Sequence, residues 1–99
     1  MLQAQIFIDK DDMHGSQHLY EFIMRFLLMN HVKGATAYKG VMGFGNNQQM
    51  KRPTELFSFD EPPMMITFID EDEKVREVLT KLRLEYKGGL IITHQVDTI

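Results

Sequence analysis

A chain of 99 residues, 43% of them hydrophobic and 25% charged, has the size and composition of one globular domain, and at this size oligomerisation is a common source of stability. The net charge of −3 argues against nucleic-acid binding. No apolar run reaches the roughly 20 residues of a membrane span, and the first residues lack a signal-peptide pattern. The absence of cysteine excludes disulfides, thiol nucleophiles and cysteine-ligated zinc, and it favours a cytoplasmic location.

The first predicted elements are a strand and an amphipathic helix. Apolar residues alternate with others over residues 1–8, which predicts a strand with one buried face. That face carries Leu2, Ala4, Ile6 and Ile8. Ser16 is then the expected N-cap of a helix, and Gly34 is its expected left-handed C-terminal cap. The buried stripe of this helix consists of Leu19, Phe22, Ile23, Phe26 and Leu27.

The second predicted strand leads into a long polar segment. The strand covers residues 35–44. Its two faces carry Ala37 and Val41 on one side, and Thr36, Tyr38 and Met42 on the other. Residues 46–63 are polar, contain three prolines and show no sustained period, apart from a brief extended piece at 55–59. A connection of this length is usually functional or mobile.

The second half of the chain predicts a strand, a helix and a strand. Residues 64–69 are apolar on both faces, which is typical of a central strand. Asp70 and Glu73 have the spacing of a capping box, and the helix that they begin should end at the paired glycines after Lys87. Its buried stripe consists of Val75, Val78, Leu79 and Leu82. Residues 90–96 form the last strand.

The predicted order is therefore β-α-β-β-α-β. Right-handed crossovers place both helices on one face of a four-stranded antiparallel sheet, which is the ferredoxin-like α+β fold. No helix covers the second face of this sheet. We expect it to carry Phe7, Tyr38, Met42 and Ile91 among glutamines and threonines. A mixture of apolar and neutral polar groups is typical of an interface, so the pattern predicts a closed homo-oligomer that buries these faces.

Glycines and cations cluster after the second strand. Gly40, Gly43 and Gly45 can expose backbone N–H groups to an anion. The cations that can compensate its charge are Lys39, Lys51, Arg52 and Lys87. The spacing is neither the P-loop nor the dinucleotide fingerprint. Two interpretations stay open, namely a strand bulge and exit turn that need positive φ, or an anion-binding cleft.

Histidines and acidic runs are the other candidates. His14 and His18 are four residues apart, but His14 precedes the expected N-cap, so they are only weak candidates for a metal site. His94 is expected to pack in the core or to touch a neighbouring subunit. The acidic runs 9–12 and 70–73 suit a solvated connection and a helix N-terminus, with divalent-cation binding as the alternative. No serine or threonine has an evident paired base, so catalysis is not expected.

Three stretches of the sequence resemble a known family. They are GATAYKGVMGFG (34–45), ELFSFDEPPMMITFIDEDEKV (55–75) and GGLIITHQV (88–96). Together they resemble the PII-like family called domain of unknown function 190, distant kin of the PII nitrogen-regulatory signalling proteins. The resemblance covers nearly the whole chain, and its most specific part is the run that ends in Met-Gly-Phe-Gly.

The resemblance implies a trimer whose sheets line its interior and whose neighbouring subunits form a nucleotide cleft. Its floor would be the base of a long T-loop at about 43–62 within a single domain, 1–99, and its other side the turn at 87–89. The implied ligand-binding residues are Lys39, Gly40, Gly43, Phe44, Gly45, Arg52, Lys87, Gly88 and Gly89. The chain lacks the loop tyrosine and the basic run of true PII proteins, so AMP or ADP is expected rather than ATP.

The expected function is regulation by ligand binding. A cytoplasmic homotrimer would bind AMP, ADP or a related small anion, and the ligand would change the order of the loop, which a transporter or a metabolic enzyme reads. We expect no required cofactor, no nucleic-acid partner, no membrane embedding and no enzymatic activity. The alternatives are a metal-binding trimer like the copper-tolerance proteins, disfavoured for copper(I) by the absence of cysteine, and a small enzyme that uses the same cleft.

Overall fold

The computed structural model describes residues 1–44 and 62–99. Its elements are β1 (Leu2–Asp9), β2 (Met13–His14), β3 (Gln17–His18), α1 (Leu19–Met29), β4 (Ala35–Lys39), β5 (Pro63–Asp70), α2 (Asp72–Glu85) and β6 (Leu90–Gln95). The main sheet has the order β4-β5-β1-β6, and every neighbouring pair in it is antiparallel. The predicted ferredoxin-like fold is confirmed, with one addition, the small hairpin of β2 and β3.

Both helices pack on one face of the main sheet. The alternating residues of β1 that point to this face are all buried, as the sequence predicts. The helices contribute Leu19, Ile23 and Leu27 from α1, and Val75, Val78 and Leu82 from α2. Each of these side chains is at most 1% exposed, and burying one contributes roughly 1.5–3 kcal/mol. Burial on a period of about 3.6 residues is the reason why the two stripes could be identified from sequence.

The predicted N-cap at Ser16 is wrong. Ser16 lies in the two-residue turn of the β2–β3 hairpin, where Gly15 has a φ of +62°. Such tight turns favour glycine because they need positive φ. Helix α1 begins at Leu19 with His18 as its N-cap, and no side chain caps it. The N–H of Leu19 instead donates to the carbonyl oxygen of Asp12 at 2.8 Å.

The predicted left-handed cap at Gly34 is also wrong. The residue in the left-handed region after α1 is His31, with a φ of 61°. Its N–H donates to the carbonyl oxygen of Leu28 at 3.1 Å, and the amide of Asn30 donates to the carbonyl oxygen of Phe26 at 2.8 Å. These bonds satisfy the last carbonyls of the helix before the chain reaches the glycine.

Asp70 does not form the predicted capping box. Helix α2 begins at Asp72, its N-cap is Glu71, and no side-chain hydrogen bond caps it. The Asp70 carboxylate is buried, with 4% exposed, and its two oxygens accept from the backbone N–H groups of Glu71 at 2.8 Å and Lys33 at 3.1 Å. Asp70 therefore connects the loop after α1 to the beginning of α2. The spacing of Asp70 and Glu73 in the sequence does not reveal this role, because one partner, Lys33, is distant in the chain.

Strand β4 is shorter than predicted. It ends at Lys39, and Gly40 donates its N–H to the carbonyl oxygen of Pro63 at 2.7 Å. Pro63 has no N–H to return the bond, so the ladder stops at this pair. Val41 and Met42 lie beyond the strand and are exposed. The predicted extended piece at 55–59 lies outside the described residues.

The second face of the sheet, called the open face here, carries no helix. Its described residues are Gln3, Gln5 and Phe7 of β1, Thr36 and Tyr38 of β4, Met65, Thr67 and Ile69 of β5, and Leu90, Ile92 and His94 of β6. The assignment of Ile91 to this face is wrong, because Ile91 pairs with Ile6 and packs against the core. His94 is exposed rather than in the core.

Neither described helix is long and apolar enough to cross a membrane.

Candidate ligand cleft

A cleft of about 1080 Å³, called the ligand cleft here, opens at one end of the main sheet. It lies where β1 ends, where β5 begins and where β6 begins, next to the exit of β4. Four of the residues predicted to bind ligand line it, namely Gly40, Gly43, Phe44 and Gly89. The fold therefore brings the glycines after β4 and the glycine before β6 to one site, although they are far apart in the sequence.

The other predicted ligand-binding residues lie differently. Lys39 is the exposed last residue of β4, between two lining residues of the cleft. Lys87 and Gly88 are exposed in the turn at 87–89, called the glycine turn here, and they do not line the cleft. Gly45 and Arg52 lie outside the described residues, as does Lys51.

The glycines after β4 are explained by a close approach to one proline. A Cβ atom on Gly40 would lie 2.7 Å from the Cγ of Pro63, and a Cβ atom on Gly43 would lie 3.1 Å from it. Among the described glycines, only Gly15 and Gly89 have positive φ. The interpretation of an exit turn that needs positive φ is therefore wrong for Gly40 and Gly43, and the absence of a side chain is what their positions require.

The glycine turn reaches the opposite side of the cleft through Gly89, the one residue of the turn that lines it. Gly89 has a φ of +68°, and a Cβ atom on it would lie 2.9 Å from the carbonyl oxygen of Phe7. The hydroxyl of Tyr86 lies 2.7 Å from where a Cβ of Gly88 would stand and 3.1 Å from that of Gly89. A larger residue would displace the Tyr86 side chain at Gly88 and the backbone of β1 at Gly89.

Two cations near the end of α2, Arg83 in its last turn and Lys87 in the glycine turn, are engaged with the backbone. Arg83 Nη1 donates to the carbonyl oxygens of Gly88 at 2.6 Å and Tyr86 at 3.3 Å. Lys87 Nζ donates to the carbonyl oxygen of Arg83 at 3.2 Å. These bonds join the helix C-terminus to the glycine turn, where cations also suit the negative end of the helix dipole.

The described lining is apolar with two carboxylates. Phe7, Tyr38 and Phe44 contribute aromatic surface, and none of the described lining residues is lysine or arginine. Asp9 and Asp12 contribute the carboxylates, and the N–H of Asp9 donates to Asp12 Oδ2 at 3.0 Å. Such a lining can pack against a planar ring and accept hydrogen bonds from hydroxyl or amino groups. The charge of a phosphate must be met by backbone N–H groups or by cations from outside it.

The same carboxylates influence Tyr86. Burial raises the pKa of the Tyr86 hydroxyl above its usual 10.0, the carboxylates of Asp12 and Asp9 raise this pKa further, and the cation of Arg83 opposes them. Tyr86 therefore stays neutral at physiological pH, and its hydroxyl keeps its proton beside the glycine turn.

The structure does not bring His14 and His18 into one chelating site. His14 pairs with Gln17 and His18 pairs with Met13, so the two imidazoles lie on opposite faces of the hairpin. The His14 ring stacks on Phe22 with centroids 3.8 Å apart, whereas the His18 ring is stacked near Tyr20 at 5.4 Å. The acidic run does bring possible ligand atoms together, because carboxylate oxygens of Asp9, Asp11 and Asp12 lie within 4.8 Å of one another.

Sequence reasoning missed the lining residues that come from β1, from the segment that follows it and from β5. Phe7, Asp9 and Asp12 line the cleft, and so does Met65. A signal was present, because the predicted topology places the end of the first strand beside the start of the third. Asp9 indeed pairs with Pro63 in the antiparallel ladder. The acidic run at 9–12 was therefore predictable as a neighbour of the proline-rich start of β5.

The fold of this chain is similar to that of PII-like proteins. It is similar to the structure of CPII, a nitrogen regulatory PII-like protein from Thiomonas intermedia, bound to ADP, AMP and bicarbonate. The TM-score is 0.66 at 22% identity, with 94% of this chain and 82% of that chain covered. A second CPII structure, bound to ADP and bicarbonate, gives a TM-score of 0.62 at 21% identity, with 94% and 82% covered.

The chain belongs to the family DUF190, described as an uncharacterized ACR, whose sequence pattern matches residues 1–98. A UPF0166 protein of Methanocaldococcus jannaschii is 32% identical over 89 residues, which are 89% of this chain and 82% of that protein. A UPF0166 protein of Aquifex aeolicus is 22% identical over 95 residues, with 96% and 90% covered. The family resemblance predicted from the three sequence stretches is thus confirmed.

Proposed function

We propose that this chain is a PII-like regulatory protein that binds an adenine nucleotide in the ligand cleft, AMP or ADP in preference to ATP. The observation that carries this proposal is that Gly40, Gly43 and Gly89 meet at one cleft of about 1080 Å³. Small-molecule sites typically have volumes of roughly 300–1,000 Å³, so a mononucleotide fits. The structures of the PII-like protein CPII with ADP, AMP and bicarbonate support the same class of ligand.

The lining suggests a role for each part of the nucleotide. The aromatic side chains of Phe7, Tyr38 and Phe44 offer surfaces for the adenine ring, and the carboxylates of Asp9 and Asp12 accept hydrogen bonds from hydroxyl groups. Phosphates would be held by backbone N–H groups around 43–45 and in the glycine turn, with assistance from Lys39, Lys87 and Arg52. Each added phosphate brings more negative charge towards the two carboxylates, which favours AMP and ADP over ATP.

The proposal includes a homotrimer of single domains, 1–99, in the cytoplasm. Burial of the open faces would drive the assembly, and neighbouring subunits would complete each cleft. The T-loop-like segment at about 43–62 would transmit the signal to a transporter or a metabolic enzyme. Because a ligand shifts an equilibrium only through differential affinity, the nucleotide must favour one arrangement of this segment. The role is regulatory rather than enzymatic, and it requires no cofactor.

Thermal unfolding with AMP, ADP, ATP, GDP and bicarbonate tests the ligand class. We expect AMP and ADP to raise the melting temperature more than ATP or GDP. The shift is measurable because a ligand at about 100 times its Kd adds about 2.7 kcal/mol of stability. The double variant Lys39→Ala, Lys87→Ala should weaken ADP binding by about tenfold, about 1.4 kcal/mol, and AMP binding by less. Lys81→Ala, which removes an exposed cation paired with Glu77, is the control. Absence of any shift with millimolar adenine nucleotides would refute the proposal.

A further inference from the structure

We propose that Arg83 is a positioning residue of the ligand cleft, because its guanidinium holds the glycine turn in the shape that faces the ligand. The inference rests on the function proposed above, in which backbone N–H groups of this turn help to hold the phosphates and Gly89 lines the cleft. Arg83 does not line the cleft itself. It acts through the backbone of Tyr86 and Gly88, the two residues whose carbonyl oxygens it binds.

The contacts of Arg83 span the junction between α2 and β6. One nitrogen, Nη1, donates to the carbonyl oxygens of Gly88 at 2.6 Å and Tyr86 at 3.3 Å. Hydrogen bonds from a guanidinium are charge-assisted, and its donors have a fixed planar arrangement, so they restrain direction as well as distance. Lys87 Nζ donates to the carbonyl oxygen of Arg83 at 3.2 Å, so a second hydrogen bond joins the glycine turn to the end of α2.

The glycine turn needs such a restraint because of its composition. Two consecutive glycines lose more backbone freedom on ordering than other residues do, and they have no side chains that could pack. Gly89 must nevertheless keep a φ of +68° where it passes the carbonyl oxygen of Phe7. Both Gly88 and Gly89 are exposed. The cation of Arg83 therefore supplies the order that the turn cannot derive from packing of its own side chains.

Loss of the guanidinium should lower the population of turns that can bind. If only a fraction of molecules has a competent turn, the apparent Kd rises by the inverse of that fraction. A turn that is competent about one tenth of the time raises the Kd about tenfold, the equivalent of about 1.4 kcal/mol. The effect should be present in the isolated protein before any ligand is added, since the competent and incompetent turns are already in equilibrium there and ADP then selects the competent one.

The test compares Arg83→Ala and Arg83→Lys with Arg76→Ala, which removes the same charge from an exposed position two turns earlier on α2. In the ligand-free protein, the amide resonances of Gly88 and Gly89 should move and broaden in Arg83→Ala and stay in place in Arg76→Ala. In titrations with ADP, the Kd of Arg83→Ala should be about tenfold above that of Arg76→Ala. Arg83→Lys should lie between them, because an ammonium lacks the planar set of donors.

The outcomes separate this inference from the proposed function. If the wild-type protein binds no ADP, the proposed function fails, and the glycine resonances alone decide whether Arg83 holds the turn. The inference is overturned if these resonances are unchanged in Arg83→Ala, or if they change while the Kd for ADP equals that of Arg76→Ala. Full recovery of the Kd in Arg83→Lys without recovery of the resonances would also overturn it, since charge alone would then explain binding.

Discussion

Gly89 combines positive φ with a close approach to a neighbouring atom, two constraints that Gly15 and Gly40 show one at a time. It has a φ of +68°, and a Cβ atom on it would lie 2.9 Å from a backbone oxygen, that of Phe7. Gly15 has a φ of +62° with nothing within 4 Å of a Cβ, and Gly40 has a close approach without positive φ. Left-handed conformations strain any residue with a side chain, and a clash with backbone cannot be relieved by a rotamer change.

Three alanine variants should separate conformational strain from steric clash. Gly15→Ala should lower the free energy of unfolding by about 1 kcal/mol, the cost of φ alone. Gly89→Ala should cost about 3 kcal/mol because β1 or the turn must also shift. Gly34→Ala, with open space and no positive φ, should be neutral or stabilising by about 0.5 kcal/mol. Urea unfolding at one protein concentration measures all three. Equal losses for Gly15→Ala and Gly89→Ala would contradict the clash.

Tyr86 gives a prediction for alkaline pH. Burial, followed by the carboxylates of Asp12 and Asp9, raises its pKa in the folded state above 10.0. A raised pKa means that the unfolded chain loses this proton first, so the contribution of Tyr86 to stability is fully present below about pH 10 and decreases as the pH rises through the folded pKa. Urea unfolding of wild type and Tyr86→Phe at about pH 8 and about pH 11 tests this. The wild type should lose more stability than the variant between the two pH values. Equal losses would show that folding does not raise the pKa of the Tyr86 hydroxyl.

At the scale of elements, helix and strand ends are set by groups from other parts of the chain. Helix α2 begins beside Asp70, whose carboxylate also accepts from the backbone of Lys33. The Lys33 ammonium lies 3.9 Å from the same carboxylate and 3.7 Å from that of Glu71. Strand β4 ends where its partner in β5 is Pro63. The carboxylate of Asp70 joins two elements, and the missing N–H of Pro63 ends a strand.

Asp70→Ala should destabilise the protein because it removes the acceptor of two part-buried backbone N–H groups, those of Lys33 and Glu71. An unsatisfied buried donor costs about 1–3 kcal/mol, and because both residues are exposed to solvent the expected total loss is also about 1–3 kcal/mol. Asp70→Asn keeps one acceptor oxygen and should lose less. Glu71→Ala is the matched control, since it removes only an exposed ion pair with Lys33 and should cost less than about 1 kcal/mol. Chemical denaturation measures the three variants. Similar losses for Asp70→Ala and Glu71→Ala would contradict the joining role of Asp70.

At the scale of the whole molecule, one layer of helices covers one face of the sheet. The open face retains exposed apolar side chains, including Leu90 at 60% exposed, Tyr38 at 53% and Ile92 at 40%. Between them lie neutral polar groups such as Gln3, whose amide donates to Thr67 Oγ1 at 2.9 Å. This composition resembles the core of an interface rather than a solvated surface, and it supports the proposed homotrimer.

A lysine on the open face should prevent assembly if that face is the interface. Ile92→Lys would bury an unpaired charge, at a cost of about 3 kcal/mol or more for each subunit. Leu84→Lys is the control, because Leu84 is 75% exposed on α2, away from the open face. We expect trimers for the wild type and Leu84→Lys, and monomers for Ile92→Lys, in sedimentation velocity at micromolar concentration. A monomeric wild type, or a trimeric Ile92→Lys, would contradict the assembly.

The amino-acid sequence was sufficient for the order of the main elements and for the buried stripes. Alternation in β1 and helical spacing in α1 and α2 are local patterns, and each reports how one element meets the core. The family resemblance likewise depends on local runs of residues. The glycine pattern after the second strand identified Gly40 and Gly43 as candidates, and the family resemblance added Phe44 and Gly89; all four line the cleft, and their role in binding stays a prediction.

The tertiary structure decided how these separate positions meet. Register placed Ile91 on the core side and Ile92 on the open face, since a shift by one residue reverses every side chain of a strand. Packing against Pro63, rather than backbone conformation, explains Gly40. The link from Arg83 to the glycine turn depends on distances that no spacing encodes. Contacts between residues distant in the chain follow from the arrangement of all elements together, and for this reason only the folded molecule reveals the cleft.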